Sequence, residues 1–144
     1  MRFLGFGMTA DIIIERSDEI VLVKRKNDPY KGYWELPGGF VEENETIEEA
    51  AVREVKEETS INVGLKEILG VYSDVKRDPR GRVATVAFIS NPIGGKLKAS
   101  SDAEEAKWIK VGTIDVESLA FDHPKIIKDY KIWKRQNGTY WSMK

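Results

Sequence analysis

Acidic side chains are concentrated in one short stretch of the sequence. Residues 42–58 contain eight glutamates against two basic residues, although the whole chain has a net charge of −1. If this stretch is a helix with about 100° between successive residues, Glu57 and Glu58 lie within about 60° of Glu54. The apolar residues on the same side are Ile47, Ala50 and Ala51. The three glutamates therefore continue the apolar stripe and point toward whatever the helix packs against.

Three carboxylates on the inner side of a helix need a compensating cation. Like charges this close disfavour one another's ionised forms, and Arg53 alone cannot neutralise all three. Oxygen ligands of this kind suit a hard divalent cation such as Mg²⁺ or Mn²⁺. Such sites serve phosphoryl chemistry, in which the metal neutralises phosphate oxygens and activates water. The alternative is an ordinary charged helix surface with ion pairs four residues apart.

The composition excludes several classes of function. The chain has no cysteine, so disulfides, thiolate metal sites and thiol nucleophiles are excluded. The near-neutral charge does not supply the broad basic surface of a nucleic-acid-binding protein, and no apolar run reaches the roughly 18 residues of a membrane span. We therefore expect a cytoplasmic protein that binds neither nucleic acid nor a membrane. The single histidine, His123, precedes Pro124, which predicts a local hydrogen bond at a helix start rather than catalysis.

The rest of the chain predicts the elements that position the acids. A length of 144 residues is typical of one domain, which we expect to cover residues 1–144. Runs rich in β-branched residues predict strands, the first two joined as a hairpin by the polar residues 16–19. The predicted strands are residues 8–15, 20–26, 33–36, 65–74, 82–90 and 106–111. Strands interspersed with two helices indicate a mixed α/β (α+β) fold in which helices flank a sheet.

Both predicted helices have recognisable ends. The acidic helix begins near Asn44 or Thr46, either of which can cap it, and continues to about Thr59. The second helix has Pro124 in its first turn, where proline is tolerated, and apolar residues at helical spacing as far as about Gln136. An Asn-Gly pair then ends it.

The acidic helix belongs to a longer pattern of residues. Gly39, five residues, Glu45, seven residues and then the run REVKEETSI at residues 53–61 resemble the box of the Nudix hydrolases. The preceding segment WELPGGFV at residues 34–41 also resembles the approach to that box. Ser60 stands where the box has glycine. Because serine adopts a left-handed backbone at a cost of about 1 kcal/mol and removes no ligand, we expect activity to survive.

The resemblance implies a Nudix-type α/β/α sandwich with a mixed sheet between helices. It also implies hydrolysis of a nucleoside diphosphate linked to another group, with Mg²⁺ or, alternatively, Mn²⁺ as cofactor. Glu57 and Glu58 would be metal ligands, and Glu54 would be either a ligand or the base that activates water. The backbone carbonyl of Gly38 would be a further ligand.

Two more residues complete the catalytic set that the resemblance implies. Arg53 would pair with Glu45 and orient the ligating acids. In the family the base can also come from another loop, and residues 100–105 offer three further acids. We take Glu54 as the first choice of base and Glu105 as the second.

Within the family, the loops of this chain most resemble the ADP-ribose pyrophosphatases. Pro79 lies eighteen residues past Ile61, near the place of a proline that marks this branch. Arginines could reach phosphate or ribose, and an aromatic ring could stack on adenine. The candidate substrate-binding residues are Arg25, Tyr33, Arg77 and Arg80. Because hydrolases of this branch are often dimers, we also expect a homodimer.

Two other functions stay open at this stage. One is a housecleaning hydrolase of nucleoside triphosphates, including oxidised ones. The other is a module that senses nucleotides without cleaving them. Such sensors tend to lose acids of the box, whereas Glu54, Glu57 and Glu58 are all present here, which favours an enzyme.

Overall fold

A computed structural model describes residues 5–100 and 103–144, in which eight strands form one mixed sheet accompanied by two α-helices. In chain order the elements are β1 (Gly7–Arg16), β2 (Glu19–Arg25), β3 (Trp34–Glu35), β4 (Gly38–Phe40), α1 (Ile47–Thr59), β5 (Ile61–Tyr72), β6 (Val83–Gly95), β7 (Ala103–Lys110), α2 (His123–Gln136) and β8 (Tyr140–Trp141). Within the described residues, neither helix is long and apolar enough to cross a membrane.

Strand β1 is the centre of the sheet. It runs parallel to β6, with pairs from Gly7↔Val83 to Ile14↔Ser90, and antiparallel to β4 on its other side. The expected hairpin is confirmed, since the end of β1 pairs with β2 at Glu15↔Ile20. The strand order is β3-β2-β1-β6-β5-β8, with β4 also on β1 and β7 also on β2.

The two faces of the sheet carry different helices. Because side chains alternate along a strand, Ile12 and Ile14 of β1 pack in the cluster that contains Ala51 and Val55 of α1. Ile13 lies on the opposite face, in the cluster formed with α2. The α2 members of that cluster are Ile126, Ile127, Tyr130 and Trp133. The expected α/β/α sandwich is therefore confirmed, and burial on both faces explains why β1 has a nearly continuous apolar sequence.

The ends of α1 follow from local chemistry. Thr46 is the N-cap: its hydroxyl accepts from the Glu49 N–H at 3.0 Å, and the Glu49 carboxylate accepts from the Thr46 N–H at 3.0 Å. This reciprocal pair is a capping box and decides between the two predicted caps. Ser60 follows the helix with φ of 65°, the left-handed conformation expected at this position.

Several strand boundaries were predicted wrongly. Strand β5 begins at Ile61 rather than Leu65, because the left-handed Ser60 lets the chain reverse at once. Strand β6 continues to Gly95 rather than ending at Ser90, since its last residues pair with the start of β5. Strand β7 begins three residues earlier than predicted, at Ala103. The short strands β4 and β8 were not predicted at all.

Candidate active site

A cavity of about 280 Å³ opens beside the N-terminal part of β4 and the inner side of α1. Its wall also includes the end of β2 and the loops that precede β6 and α2. The acidic lining residues are Asp11, Glu35, Glu54, Glu57, Glu58 and Asp78. The basic lining residues are Lys24, Arg25, Lys26, Arg77 and Arg80, together with His123. Acids of the helix and arginines therefore line one space that is large enough for part of a nucleotide.

Glu54 lies directly against the backbone of Gly39. A Cβ atom at Gly39 would lie 2.5–2.7 Å from the atoms of the Glu54 carboxyl group, which is closer than atoms can approach without moving. Glycine at position 39 therefore lets the carboxylate reach the cavity. Burial raises the pKa of Glu54, although its hydrogen bond with Arg53 acts in the opposite direction.

Arg53 holds the acids of this region in place. Its Nε and Nη2 atoms donate to the two Glu45 oxygens at 3.0 and 2.6 Å, which confirms the expected pair. Its Nη1 atom donates to Glu54 at 2.8 Å and to Glu57 at 3.2 Å, and Nη2 also reaches the Phe40 carbonyl. The Arg53 hydrogen bond lowers the pKa of Glu45 to about 2. One guanidinium thus ties α1 to the segment that follows β4.

Glu58 differs from its neighbours because no basic side chain pairs with it among residues 5–100 and 103–144. Burial and the nearby carboxylates of Glu35 and Glu54 raise its pKa well above the ordinary value, and the Gly38 N–H is the group that opposes this. Glu57, by contrast, has 59% of its side chain exposed and is turned toward Arg53. A partly buried acid that lies next to other acids, with no basic partner among the described residues, fits a divalent metal ion.

The ligand set is not complete in the described part of the chain. Among its acids and its histidine, no three already converge as a ready metal-binding cluster. The donors nevertheless have the chemistry that Mg²⁺ or Mn²⁺ prefers, namely carboxylate and carbonyl oxygens beside a closely approaching glycine backbone. Gly38 itself packs tightly against β1, since a Cβ there would overlap the Ala10 carbonyl and lie 2.8 Å from Asp11 Oδ1.

Arg25 and Arg80 also line the cavity. Arg25 donates to Glu35 at 2.5 Å and to the Pro29 carbonyl at 2.6 Å. Arg80 makes two contacts to Asp78, at 3.0 and 2.8 Å, and half of its side chain is exposed. The Arg80 guanidinium also lies near two aromatic rings that line the cavity, Phe40 and Phe121.

Two further candidates have different surroundings. Tyr33 is partly exposed, lies edge-on to Tyr30 with 5.4 Å between ring centres, and is not part of the cavity lining. Arg77 does line the cavity, but only 4% of its side chain is exposed and it donates twice to Asp122, at 2.9 and 2.7 Å. Direct contact of either residue with substrate stays a prediction.

The structure does not bring Glu105 into the cavity. Glu105 lies on β7 opposite Lys24, forms an ion pair with Lys107 at 3.0 Å and has 42% of its side chain exposed. The nearer residues of this segment, Ser100 and Ala103, line the cavity instead. Asp102, another of the three acids considered from the sequence, lies outside the described residues.

Three titratable residues of the cavity wall were not among the predicted site residues. Asp11 is a buried acid within the β-branched run of β1, which is itself a signal because an isolated charge is costly there. Glu35 precedes the two glycines of β4, and burial raises its pKa. His123 begins α2 as predicted, but its hydrogen bond is not local: the ring accepts from the N–H of Leu36, 87 residues away.

Comparisons with known proteins agree with this geometry. A family model described as the NUDIX domain matches residues 5–130. An ADP-ribose pyrophosphatase from Methanocaldococcus jannaschii is 53% identical over 132 residues, which are 92% of this chain and 77% of that protein.

Solved structures show the same relationship. A bifunctional NMN adenylyltransferase/ADP ribose pyrophosphatase from Francisella tularensis, complexed with AMP and a Mn ion, superposes with a TM-score of 0.80 at 31% identity, over 96% of this chain and 44% of that one. The NUDIX domain of Shewanella oneidensis NrtR, complexed with ADP ribose, gives a TM-score of 0.77 at 26% identity, over 90% of this chain and 89% of that one.

Proposed function

This chain belongs to the NUDIX domain family, and from that premise we propose that it hydrolyses the diphosphate linkage of ADP-ribose to give AMP and ribose 5-phosphate. One observation carries the proposal. Glu54 lies against the glycine backbone of β4, Glu58 accepts from the Gly38 N–H, and both line the same cavity as Arg25 and Arg80. Acids that can hold a metal therefore face guanidinium groups that can bind phosphate.

Nudix hydrolases use divalent metal ions, and we propose Mg²⁺, with Mn²⁺ as the alternative, for this chain. Glu57, Glu58 and the Gly38 carbonyl would hold it, and Glu54 would be a further ligand if it is not the base. When bound, such an ion neutralises phosphate oxygens and lowers the pKa of water. Glu58 supports this assignment: it is partly buried and has no basic partner among the described residues, so a cation would remove the repulsion that Glu35 and Glu54 exert on it.

We propose Glu54 as the base, with Glu105 as the second choice. The attacking water would lose a proton to the Glu54 carboxylate while its oxygen bonds to one phosphorus and the bridging P–O bond breaks. Burial raises the pKa of Glu54, which makes the carboxylate a better proton acceptor. Arg53 would act through Glu54 and Glu57 by fixing their positions. The remote position of Glu105 gives it the weaker support.

Basic residues that line the cavity would bind the nucleotide. Arg25 and Arg80 would contact the diphosphate or ribose, since both line the cavity and Arg80 is half exposed. Tyr33 and Arg77 complete the set of proposed substrate contacts. Arg77 has weaker support because its side chain is almost fully buried beside Asp122.

Turnover of a substrate panel tests this function. The panel holds ADP-ribose, diadenosine polyphosphates, NADH and nucleoside triphosphates, each with Mg²⁺, and kcat/KM is measured for each. We expect ADP-ribose to have the highest value. A clear preference for triphosphates would assign the chain to the housecleaning hydrolases. ADP-ribose binding with no turnover of any compound would instead identify a sensor.

We further propose a homodimer in the cytoplasm. Val71 of β5 and Trp141 of β8 are directly opposite each other, and about half of each residue is exposed, which supplies apolar surface for a second copy. Sedimentation velocity of the wild type and Trp141→Glu tests this arrangement.

A charged nucleotide does not cross a lipid bilayer unaided, so the proposed substrate goes with a cytoplasmic location, which cell fractionation tests.

A further inference from the structure

His123, the single histidine of the chain, has a defined contact at each ring nitrogen. The ring is buried, and its Nδ1 atom accepts a hydrogen bond from the Leu36 N–H at 3.0 Å. The Nε2 atom faces Asp11 Oδ1 at 3.7 Å. Asp11 in turn accepts from the Thr85 hydroxyl at 2.7 Å and lies 3.6 Å from Arg77.

These contacts define where the ring carries its proton. An N–H group buried without an acceptor is costly, so the Leu36 N–H requires a bare Nδ1. Asp11 favours a proton on Nε2, which both the neutral and the charged ring provide. Burial, the largest single effect, lowers the pKa of His123, but the carboxylates of Asp11, Glu35 and Asp122 together raise it above the ordinary value. The Leu36 N–H opposes that rise, because a protonated Nδ1 would face another donor. The neutral ring with its proton on Nε2 satisfies both neighbours.

The Leu36 contact fixes the backbone that leads into β4. Two backbone hydrogen bonds hold the same segment: Ile12 donates to the Pro37 carbonyl at 2.8 Å, and Ala120 donates to the Trp34 carbonyl at 2.8 Å. His123 adds a side-chain hydrogen bond to the same segment at Leu36, which lies between Trp34 and Pro37. The next residues are the glycines against which Glu54 and Glu58 lie, so a shift of this segment would move both acids.

We propose that His123 is a positioning residue for hydrolysis: through the Leu36 N–H it sets the backbone of residues 36–39 and, through that backbone, the places of Glu54 and Glu58. The inference rests on the proposed function, since it names a residue that acts on the same site. It assigns His123 no contact with substrate.

The first test reads the ring itself, in metal-free protein without substrate. Because the chain has one histidine, ¹⁵N NMR of the imidazole gives a single pair of nitrogen signals. At pH 7.5 we expect one bare nitrogen, Nδ1, and one protonated nitrogen, Nε2. A doubly protonated ring, or a proton on Nδ1, would overturn the proposal, whatever the substrate of the enzyme is.

The second test compares two isosteric substitutions. His123→Asn puts an amide oxygen near the place of Nδ1 and keeps an acceptor for Leu36, whereas His123→Gln puts its amide near Nε2 and removes that acceptor. For the substrate that the panel identifies, we expect His123→Asn to keep kcat within about threefold of the wild type. His123→Gln should lower kcat about tenfold or more, with a smaller change in KM.

Thermal unfolding of both variants separates positioning from folding. Positioning predicts that kcat differs between the two variants even when their melting temperatures are similar. Equal activity in both, or losses that simply follow stability, would refute it. If no compound in the panel is hydrolysed, the proposed function fails, while the NMR result still decides the state of the ring.

Discussion

Replacing Gly39 with alanine should remove activity while leaving the fold intact. Alanine can adopt the backbone here, because Gly39 is not among the glycines with positive φ. Its Cβ would, however, lie 2.5 Å from the nearest atom of the Glu54 carboxyl group, whereas ordinary contacts begin at 3.4 Å. The end of the Glu54 side chain is flexible, so it would move away by about 0.9 Å rather than disrupt the sheet.

That displacement determines the expected magnitudes. A catalytic group misplaced by about 1 Å costs about 100-fold in rate, which we expect in kcat for ADP-ribose. The free energy of unfolding should change by less than about 1 kcal/mol, because alanine also restricts the unfolded chain. Steady-state kinetics and urea unfolding of the same preparation measure the two quantities.

Two other glycines provide controls for Gly39→Ala. Gly112→Ala meets nothing within 4 Å, so activity and stability should both stay near the wild-type values. Gly38→Ala would strike the Ala10 backbone and should unfold the protein. In a Glu54→Ala background, Gly39→Ala should cause no further loss of activity. Wild-type kcat in Gly39→Ala would show that the position of Glu54 does not matter and would refute the reasoning.

Four further predictions concern stability and the metal. The Arg53 hydrogen bond lowers the pKa of Glu45 from 4.5 to about 2. The pair therefore adds stability that is fully present above pH 4.5 and is lost as the pH falls to 2. Glu45→Gln should flatten the change in melting temperature across that pH range. Arg77→Met leaves Asp11 and Asp122 without their guanidinium partner, so the free energy of unfolding measured in urea should fall by about 3–5 kcal/mol. Arg82 is exposed and provides the control. A loss of similar size in Arg82→Met would contradict the prediction. Ser60→Gly relieves a left-handed serine and should raise the free energy of unfolding by up to about 1 kcal/mol without changing kcat. Chelation with EDTA should abolish turnover and Mg²⁺ should restore it, so unchanged turnover in EDTA would exclude the proposed metal role.

The acidic helix could be predicted in detail because its signals are local. Helical periodicity placed Glu54 and Glu58 on the inner side. The cap at Thr46 lies where its residue type is favoured, and the left-handed Ser60 lies at the helix end, where glycine is usual. Glu57 fits less well, since its side chain is mostly exposed. Periodicity predicts which side of a helix a residue is on, but not how far its flexible side chain reaches.

The remaining part of the site depends on residues far apart in sequence. Nothing near His123 indicates that its partner is Leu36, and nothing near Arg77 indicates that Asp122, 45 residues later, binds its guanidinium. The short strands β4 and β8 likewise exist because β1 and β5 pair with them. Such contacts follow from the topology of the sheet, which local propensity does not determine.

The most direct test of the account is the fate of ADP-ribose with the wild type, Glu58→Gln and the control Glu48→Gln at equal Mg²⁺. Glu58 is a partly buried acid without a basic partner in the described structure, while Glu48 is exposed and lies outside the cavity. We expect the wild type and Glu48→Gln each to release AMP and ribose 5-phosphate in a one-to-one ratio at similar rates. The rate should be lowered at least 100-fold in Glu58→Gln. Equal rates in all three proteins, or no products from the wild type, would contradict it.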